Sequence, residues 1–308
     1  MLTIYRKSFR SQTLAVLDEL QEGVWINAVD PTAEEMQFLE QKAGVPRDFI
    51  EASLDTDERP RHENEDGIQL FILRVPIPKE SDFRMYPLGI IMTENAVVTI
   101  CLKENDILGD FIQERMKKFF TTKKYRFFLQ IIKNSNWYYD FYVQEMRKDL
   151  KKIEHKLMQS QSNRLIVALL GIEENFLYFH TAVLGNEKMF EKILQLKYLE
   201  IYDDDRELLE DLIIENKEIV ESLSIYNNLV SNTMDAYMSI ISNNLNVTMK
   251  FLASVTIILS IPTIIASFLG MNVTLPGGSH PLAFYYALGI AGLLMAATAL
   301  LFARKNYF

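Results

Sequence analysis

The chain has 308 residues, 49% of them apolar, and its 41 acidic against 32 basic side chains leave a net charge of −9. That balance disfavours a nucleic-acid partner, because phosphate selects a basic surface; it suits a protein that meets cations, as it also suits many ordinary cytosolic domains. A lone cysteine, Cys101, excludes an intramolecular disulfide and fits a reducing compartment.

The first residues, MLTIYRKSFRSQ, contain no apolar h-region, so the front part is expected to stay in the cytosol. Val24-Trp25-Ile26-Asn27-Ala28 is strand-like. Thr32-Ala33-Glu34-Glu35 has capping-box spacing, and the helix it opens is predicted to run to Ala43, stopped by Gly44 and Pro46. Residues 68–75 and 88–102 are β-rich; Val97-Val98-Thr99-Ile100 is the clearest strand, and Asn95 is a hairpin turn residue. Together these signals predict a cytosolic α/β domain over 1–125, a mixed sheet with flanking helices. The roughly 250 residues ahead of the first long apolar run are ample for a core of their own.

From about Tyr125 strand signals fade, and Gly and Pro become rare until Gly270. Three long helices fit, over about 126–162, 164–197 and 206–270, with breaks at 160–163 and at Tyr202-Asp203-Asp204-Asp205. The acid triplet sits where a helix dipole favours negative charge, which makes it a solvated cap before it is a metal site. Residues 126–205 are therefore read as a long-helix region and 206–250 as a stalk. Along the stalk Ile219, Leu223, Tyr226, Val230, Met234, Tyr237 and Ile241 recur at steps of 4, 3, 4, 4, 3 and 4. That is nearer an eleven-residue period than a heptad. One helix continuing into the apolar run would be roughly 95 Å long, a rod expected to associate with copies of itself.

Residues 251–269 carry no charge, Gly270-Met271-Asn272 follows, and a second uncharged run covers 282–303. Each is about the 20 residues a helix needs to cross a bilayer. The predicted order is a first span 251–270, an outer loop 271–281, a second span 282–303 and a tail 304–308. Lys250 precedes the first span, Arg304 and Lys305 follow the second, and the loop has no Lys or Arg. The positive-inside rule then gives a multi-pass protein of the cell membrane with both termini cytoplasmic.

Thr256, Ser260, Thr263, Ser267 and Gly270 share one face of the first span, and toward the cytosol the same face carries Leu252, Met249 and Asn246. Two readings stay open on spacing: a face turned to a polar pathway, or a dry helix contact in which each hydroxyl bonds its own i−4 carbonyl. Neither span contains Asp, Glu, Lys, Arg or His, so a proton relay or charged-substrate site has no residue to rest on. Such a path suits an ion held through its waters, and Mg²⁺ gives up water reluctantly. Met249 and Leu252 could close a ring by dewetting.

Here the residues resemble a family. Gly270-Met271-Asn272 at the outer end of the first of two C-terminal spans resembles the signature of CorA-type magnesium transporters, two-span GMN metal ion transporters. The resemblance extends over Met234-Asp235-Ala236-Tyr237, Asn246-Val247-Thr248-Met249-Lys250, Trp25-Ile26-Asn27 and Asp57-Glu58-Arg59-Pro60-Arg61, and so over essentially the whole chain. It implies an α+β membrane protein: a funnel-shaped homopentamer with an N-terminal cytosolic α/β domain, a long helical stalk and two C-terminal transmembrane helices. Five first spans would line the pore, with Asn246, Met249, Leu252 and Thr263 at pore-lining positions. Gly270, Met271 and Asn272 would form the filter, Asn272 holding hydrated Mg²⁺ and Gly270 giving the turn. Asp211 falls where the family has a metal-sensing carboxylate, so Mg²⁺ would be both transported and regulatory, with Co²⁺ and Ni²⁺ as surrogates.

The chain departs from the pattern in its outer loop, 273–281, which lacks the acids many members carry. The partner of Asp211 has no assigned place; Glu58, Glu63, Glu65 and Asp66 are the candidates. Met271 stands where zinc-transporting relatives usually have Ile, which favours magnesium over a proton-coupled zinc importer of the same fold. A non-conducting, membrane-tethered metal sensor is the third reading. An enzyme has little to rest on: His62, His155, His180 and His280 are scattered, and no HExxH, Cys pair or P-loop occurs.

Overall fold

A computed structural model describes residues 1–11, 13–79, 82–116, 118–159, 163–196, 202–271 and 282–305. The chain divides into two compact units, Met1–Asn232 and Thr233–Phe308.

The first unit is organised by one seven-stranded mixed sheet. Its strands are β1 (Leu2–Arg6), β2 (Ala15–Leu17), β3 (Val24–Val29), β4 (Arg61–Glu65), β5 (Ile68–Lys79), β6 (Asp82–Met92) and β7 (Ala96–Cys101), in the order β2-β1-β3-β7-β6-β5-β4. Only β3 and β7 pair in parallel. The chain between them supplies the crossover helices α1 (Ala33–Gln41) and α2 (Arg47–Leu54), as a parallel pair requires.

Strand alternation gives the sheet two different faces. Val24, Ile26, Ala28, Val98 and Ile100 pack with Leu39, Val45, Phe49 and Ile50 of the crossover. The opposite face is aromatic: Trp25 lies 5.2 Å from Phe127, and Phe71 lies 4.3 Å from Phe128, ring centre to ring centre. Parallel pairing sets Asn27 beside Thr99. The Trp25 indole N–H donates to Thr99 Oγ1 at 2.8 Å, and that hydroxyl donates to Asn27 Oδ1 at 2.8 Å. A buried indole thus has its partner, and Trp25 anchors the core.

Thr32 caps α1 with both capping-box bonds formed, Glu35 N–H to the Thr32 hydroxyl and Thr32 N–H to the Glu35 carboxylate. The β-rich stretch over 88–102 divides into β6 and β7, because Thr93 N–H bonds the Ala96 carbonyl and Ala96 N–H bonds the Thr93 hydroxyl. Sequence pattern gave no notice of β1, β2, β4, α2 or α3 (Asp106–Ile112). β4 reads RHENE, and an edge strand mostly exposed needs no apolar alternation.

Four long helices follow: α4 (Lys124–Gln159), α5 (Asn163–Gln195), α6 (Asp203–Leu269) and α7 (Ala283–Arg304). α4 covers the aromatic face. α5 lies along the sheet where β4 has ended: β4 pairs β5 no further than Ile72, leaving the outer edge of Arg74 open. The Asn186 amide fills it, accepting from Arg74 N–H at 2.9 Å and donating to Arg74 C=O at 3.0 Å. Asn175 similarly accepts from Phe83 N–H and donates to Asp82.

Among the described residues, three helices are long and apolar enough to cross a membrane: α5, α6 and α7. A third of the apolar window of α5 is buried within the protein, against 6% in each of the other two. Its packing on the sheet makes α5 a core helix of the first unit, and α6 and α7 are the candidate spans at the C-terminus.

Of the stripe that begins at Ile219, Ile219, Leu223 and Val230 are buried within one chain, and Tyr226 stacks on Phe176 of α5. In the first unit the stripe is thus a contact inside the subunit. The apolar residues that α6 leaves exposed in this unit are others, among them Ile214, Ile225 and Leu229. Trp137 is exposed on α4 and stacks on Phe141.

Candidate functional site

In the second unit α6 continues unbroken to Leu269, with Pro262 inside it. Proline withholds the N–H that would bond the Ile258 carbonyl. Asn246, Met249, Leu252, Thr256, Thr263, Ser267 and Gly270 are exposed along the helix, and Ser260 is half-buried.

The hydroxyl hydrogens have definite destinations. Thr256 Oγ1 donates to Leu252 C=O at 2.8 Å, Ser260 Oγ to Thr256 C=O at 2.7 Å, and Thr263 Oγ1 to Leu259 C=O at 3.3 Å. A hydroxyl has one hydrogen and two lone pairs. With the hydrogen directed into the helix, what faces outward is acceptor alone. The i−4 bonds thus form, and the face keeps its capacity to accept. Thr248, Ser254 and Thr298 make the same i−4 bond, but Ser254 is buried and lies off the stripe.

At the C-terminal end of α6, Gly270 N–H bonds Ala266 C=O at 2.9 Å and Met271 N–H reaches Phe268 C=O at 3.4 Å, so the last turn tightens. The glycine does not turn the chain through a left-handed backbone, since its φ is not positive; an added Cβ would meet Ala266 O at 3.4 Å, an ordinary contact. The expected turn role of Gly270 therefore has no steric basis within one chain. Asn272 and the loop 273–281 lie outside the described residues.

Asp211 is exposed on α6, and among the described residues no group of three His, Cys, Asp or Glu side chains could hold a metal ion. Of its proposed partners, Glu58 and Glu63 both pair with Arg61, while Glu65 and Asp66 are exposed at the β4–β5 turn. The triplet Asp203-Asp204-Asp205 is not simply solvated: Asp205 is buried and bonds Arg126 at 2.7 Å. His62 is buried against Phe71, and that burial lowers its pKa. Cys101 is buried too, its thiol pushed up to about 11, which makes it inert.

Comparison with known proteins agrees with this architecture. The model of the CorA-like Mg2+ transporter protein family matches residues 21–304. The cobalt/magnesium transport protein CorA of Methanocaldococcus jannaschii is 26% identical over 295 residues, covering 92% of this chain and 91% of that protein. The complete structure of the CorA magnesium transporter from the same organism superposes with a TM-score of 0.91 at 22% identity, over 100% of this chain and 99% of that one. The full-length CmaX protein gives 0.75 at 18% identity, over 100% and 97%.

Proposed function

Because the chain belongs to the CorA-like Mg2+ transporter protein family, we propose that it transports divalent cations through a channel that several copies form around their α6 helices. Mg²⁺ is the preferred cargo, with Co²⁺ and Ni²⁺ as surrogates. It moves hydrated, down its electrochemical gradient, through the cell membrane. The assembly is a homopentamer in which α7 forms the outer ring and both termini face the cytosol.

The observation that carries this reading is the acceptor face of α6. Water bound to Mg²⁺ turns its oxygen to the ion and its hydrogens outward, so a wall for the hydrated ion must accept hydrogen bonds. Thr256, Ser260 and Thr263 do so, their own hydrogens being engaged at 2.7 to 3.3 Å by backbone carbonyls. Asn246 and Ser267 extend the wall, and Met249 and Leu252 supply an apolar constriction that closes by excluding water. Gly270, Met271 and Asn272 form the outer filter, Asn272 binding the ion through its waters. Cytosolic Mg²⁺ at Asp211, completed by a neighbouring copy, holds the closed state, and its loss releases it.

The test is Mg²⁺ entry into liposomes holding the purified protein, followed by an internal Mg²⁺-sensitive dye under an inside-negative potential. Entry that follows the potential and disappears in Asn272→Ala is expected. No Mg²⁺ entry from folded, oriented protein, with Zn²⁺ moving only under a proton gradient, would replace this reading by a zinc importer.

A further inference from the structure

Polar rungs join α4 to α6 at regular intervals. At the first, Arg126 of α4 bonds the Asp205 carboxylate at 2.7 Å and donates to Asp204 C=O at 3.3 Å. At the second, Asn136 Nδ2 donates to Leu212 C=O at 2.9 Å, and Asn216 Nδ2 donates to Asn136 Oδ1 at 3.1 Å. Both asparagines are buried, Asn216 completely. At the third, the Arg147 guanidinium lies 5.7 Å from the ring centre of Tyr226.

On α6, Asp205, Asn216 and Tyr226 are 11 and 10 residues apart, about three helical turns or roughly 16 Å per step. On α4, Arg126, Asn136 and Arg147 are 10 and 11 apart. The two helices therefore run parallel and in step. Apolar side chains such as Leu209, Ile213 and Leu223, which α6 buries in the same unit, tolerate sliding by a turn. A buried amide pair does not, because a slip leaves its groups without partners. Buried polar pairs of this kind select one register among several. The ladder leaves one acceptor over: Asn216 Oδ1 is buried without a hydrogen-bond partner.

We infer that this ladder is a register lock that fixes Asp211, the residue beside Leu212, along α4 and so sets the cytosolic Mg²⁺ concentration at which the channel closes. The inference rests on the reading of Asp211 given above. Asn136 and Asn216 are positioning residues and touch no ion.

The experiment uses the full chain in liposomes, with Mg²⁺ titrated on the cytosolic side and influx read at each concentration. Asn136→Leu, Asn216→Leu, their double variant and Asp211→Asn are compared with the parent, each with its thermal unfolding midpoint. Replacing both amides by leucine removes the buried polar groups together and leaves stability close to the parent. The half-closing Mg²⁺ concentration is expected to move by about three- to tenfold in the leucine variants, the double included. Asp211→Asn is expected to blunt the closure itself. A double variant with the parent's half-closing concentration, while Asp211→Asn changes it, reduces the ladder to packing and overturns the inference alone. An unchanged response in Asp211→Asn overturns the sensor reading and the lock with it. Should the leucine variants fail to fold, Arg126→Gln decides on the same terms, since its side chain is partly exposed.

Discussion

Thr263 shows how much one atom is asked to do. Its hydrogen goes to Leu259 C=O, and its function is proposed to lie in the oxygen that remains. Thr263→Val keeps the shape and removes the acceptor, while Thr263→Ser keeps the acceptor. Mg²⁺ influx in liposomes is expected to fall about tenfold in the valine variant, the loss of roughly one hydrogen bond to a charged partner, and to survive in the serine variant. Equal influx in both would mean that the stripe packs and does not conduct. The residue scale also carries a pH dependence. Lys7 Nζ beside Glu114 at 2.8 Å, with Leu14 N–H at 3.0 Å, holds the Glu114 carboxyl below the usual range. A depressed carboxyl contributes stability above its unfolded pKa, and that contribution is lost as pH falls through the folded value. Glu114→Gln should therefore flatten the acid side of the stability–pH curve relative to the parent, measured by melting temperature between about pH 3 and 6. A parallel curve would deny the pair any share in acid stability. Among these residues the hydroxyl stripe was legible from its spacing. The Lys7–Glu114 pair was not, because it joins positions 107 apart in sequence.

At the scale of elements, local chemistry was readable and edge repair was not. Thr32 and Glu35 announce α1 because both capping bonds lie within four residues. Nothing local announces that β5 outruns β4, or that an asparagine on α5 stands in for the missing strand. Asn186→Leu would leave Arg74 N–H without its partner, while Arg74 C=O keeps the Tyr139 hydroxyl at 2.7 Å. The expected cost is about 1–3 kcal/mol, seen as a lower unfolding midpoint and faster amide exchange at Arg74. Normal exchange at that amide would show that water or another donor repairs the edge. The same anchoring explains why hydropathy alone misplaces α5: it passes the length and composition test for a span, but asparagines buried at two of its positions hold it to the sheet.

At the scale of the whole molecule, the question is which surface of α6 meets another copy. Sequence periodicity selected the stripe through Leu223 and Val230, because a stripe shows that something is covered and not by what. The fold covers it from within. Exposed instead are Ile214 and Ile225, 11 residues apart and hence on one line of the helix, with Leu229 beside them. Exposed apolar side chains in a row on a soluble helix mark an interaction surface, and the polar path proposed for α6 needs several copies to enclose it. Ile225→Asp should then weaken assembly without unfolding the chain. Burying one isoleucine contributes about 1.5–3 kcal/mol, and in a closed ring that loss recurs at every interface. Leu223→Asp should instead destroy the fold, because it places a charge inside the subunit. Light scattering of the detergent-solubilised protein, beside its circular dichroism, separates the two. An Ile225→Asp protein that keeps both helicity and mass would move the interface off this line, and the enclosure of the pathway would have to be built from another face of α6.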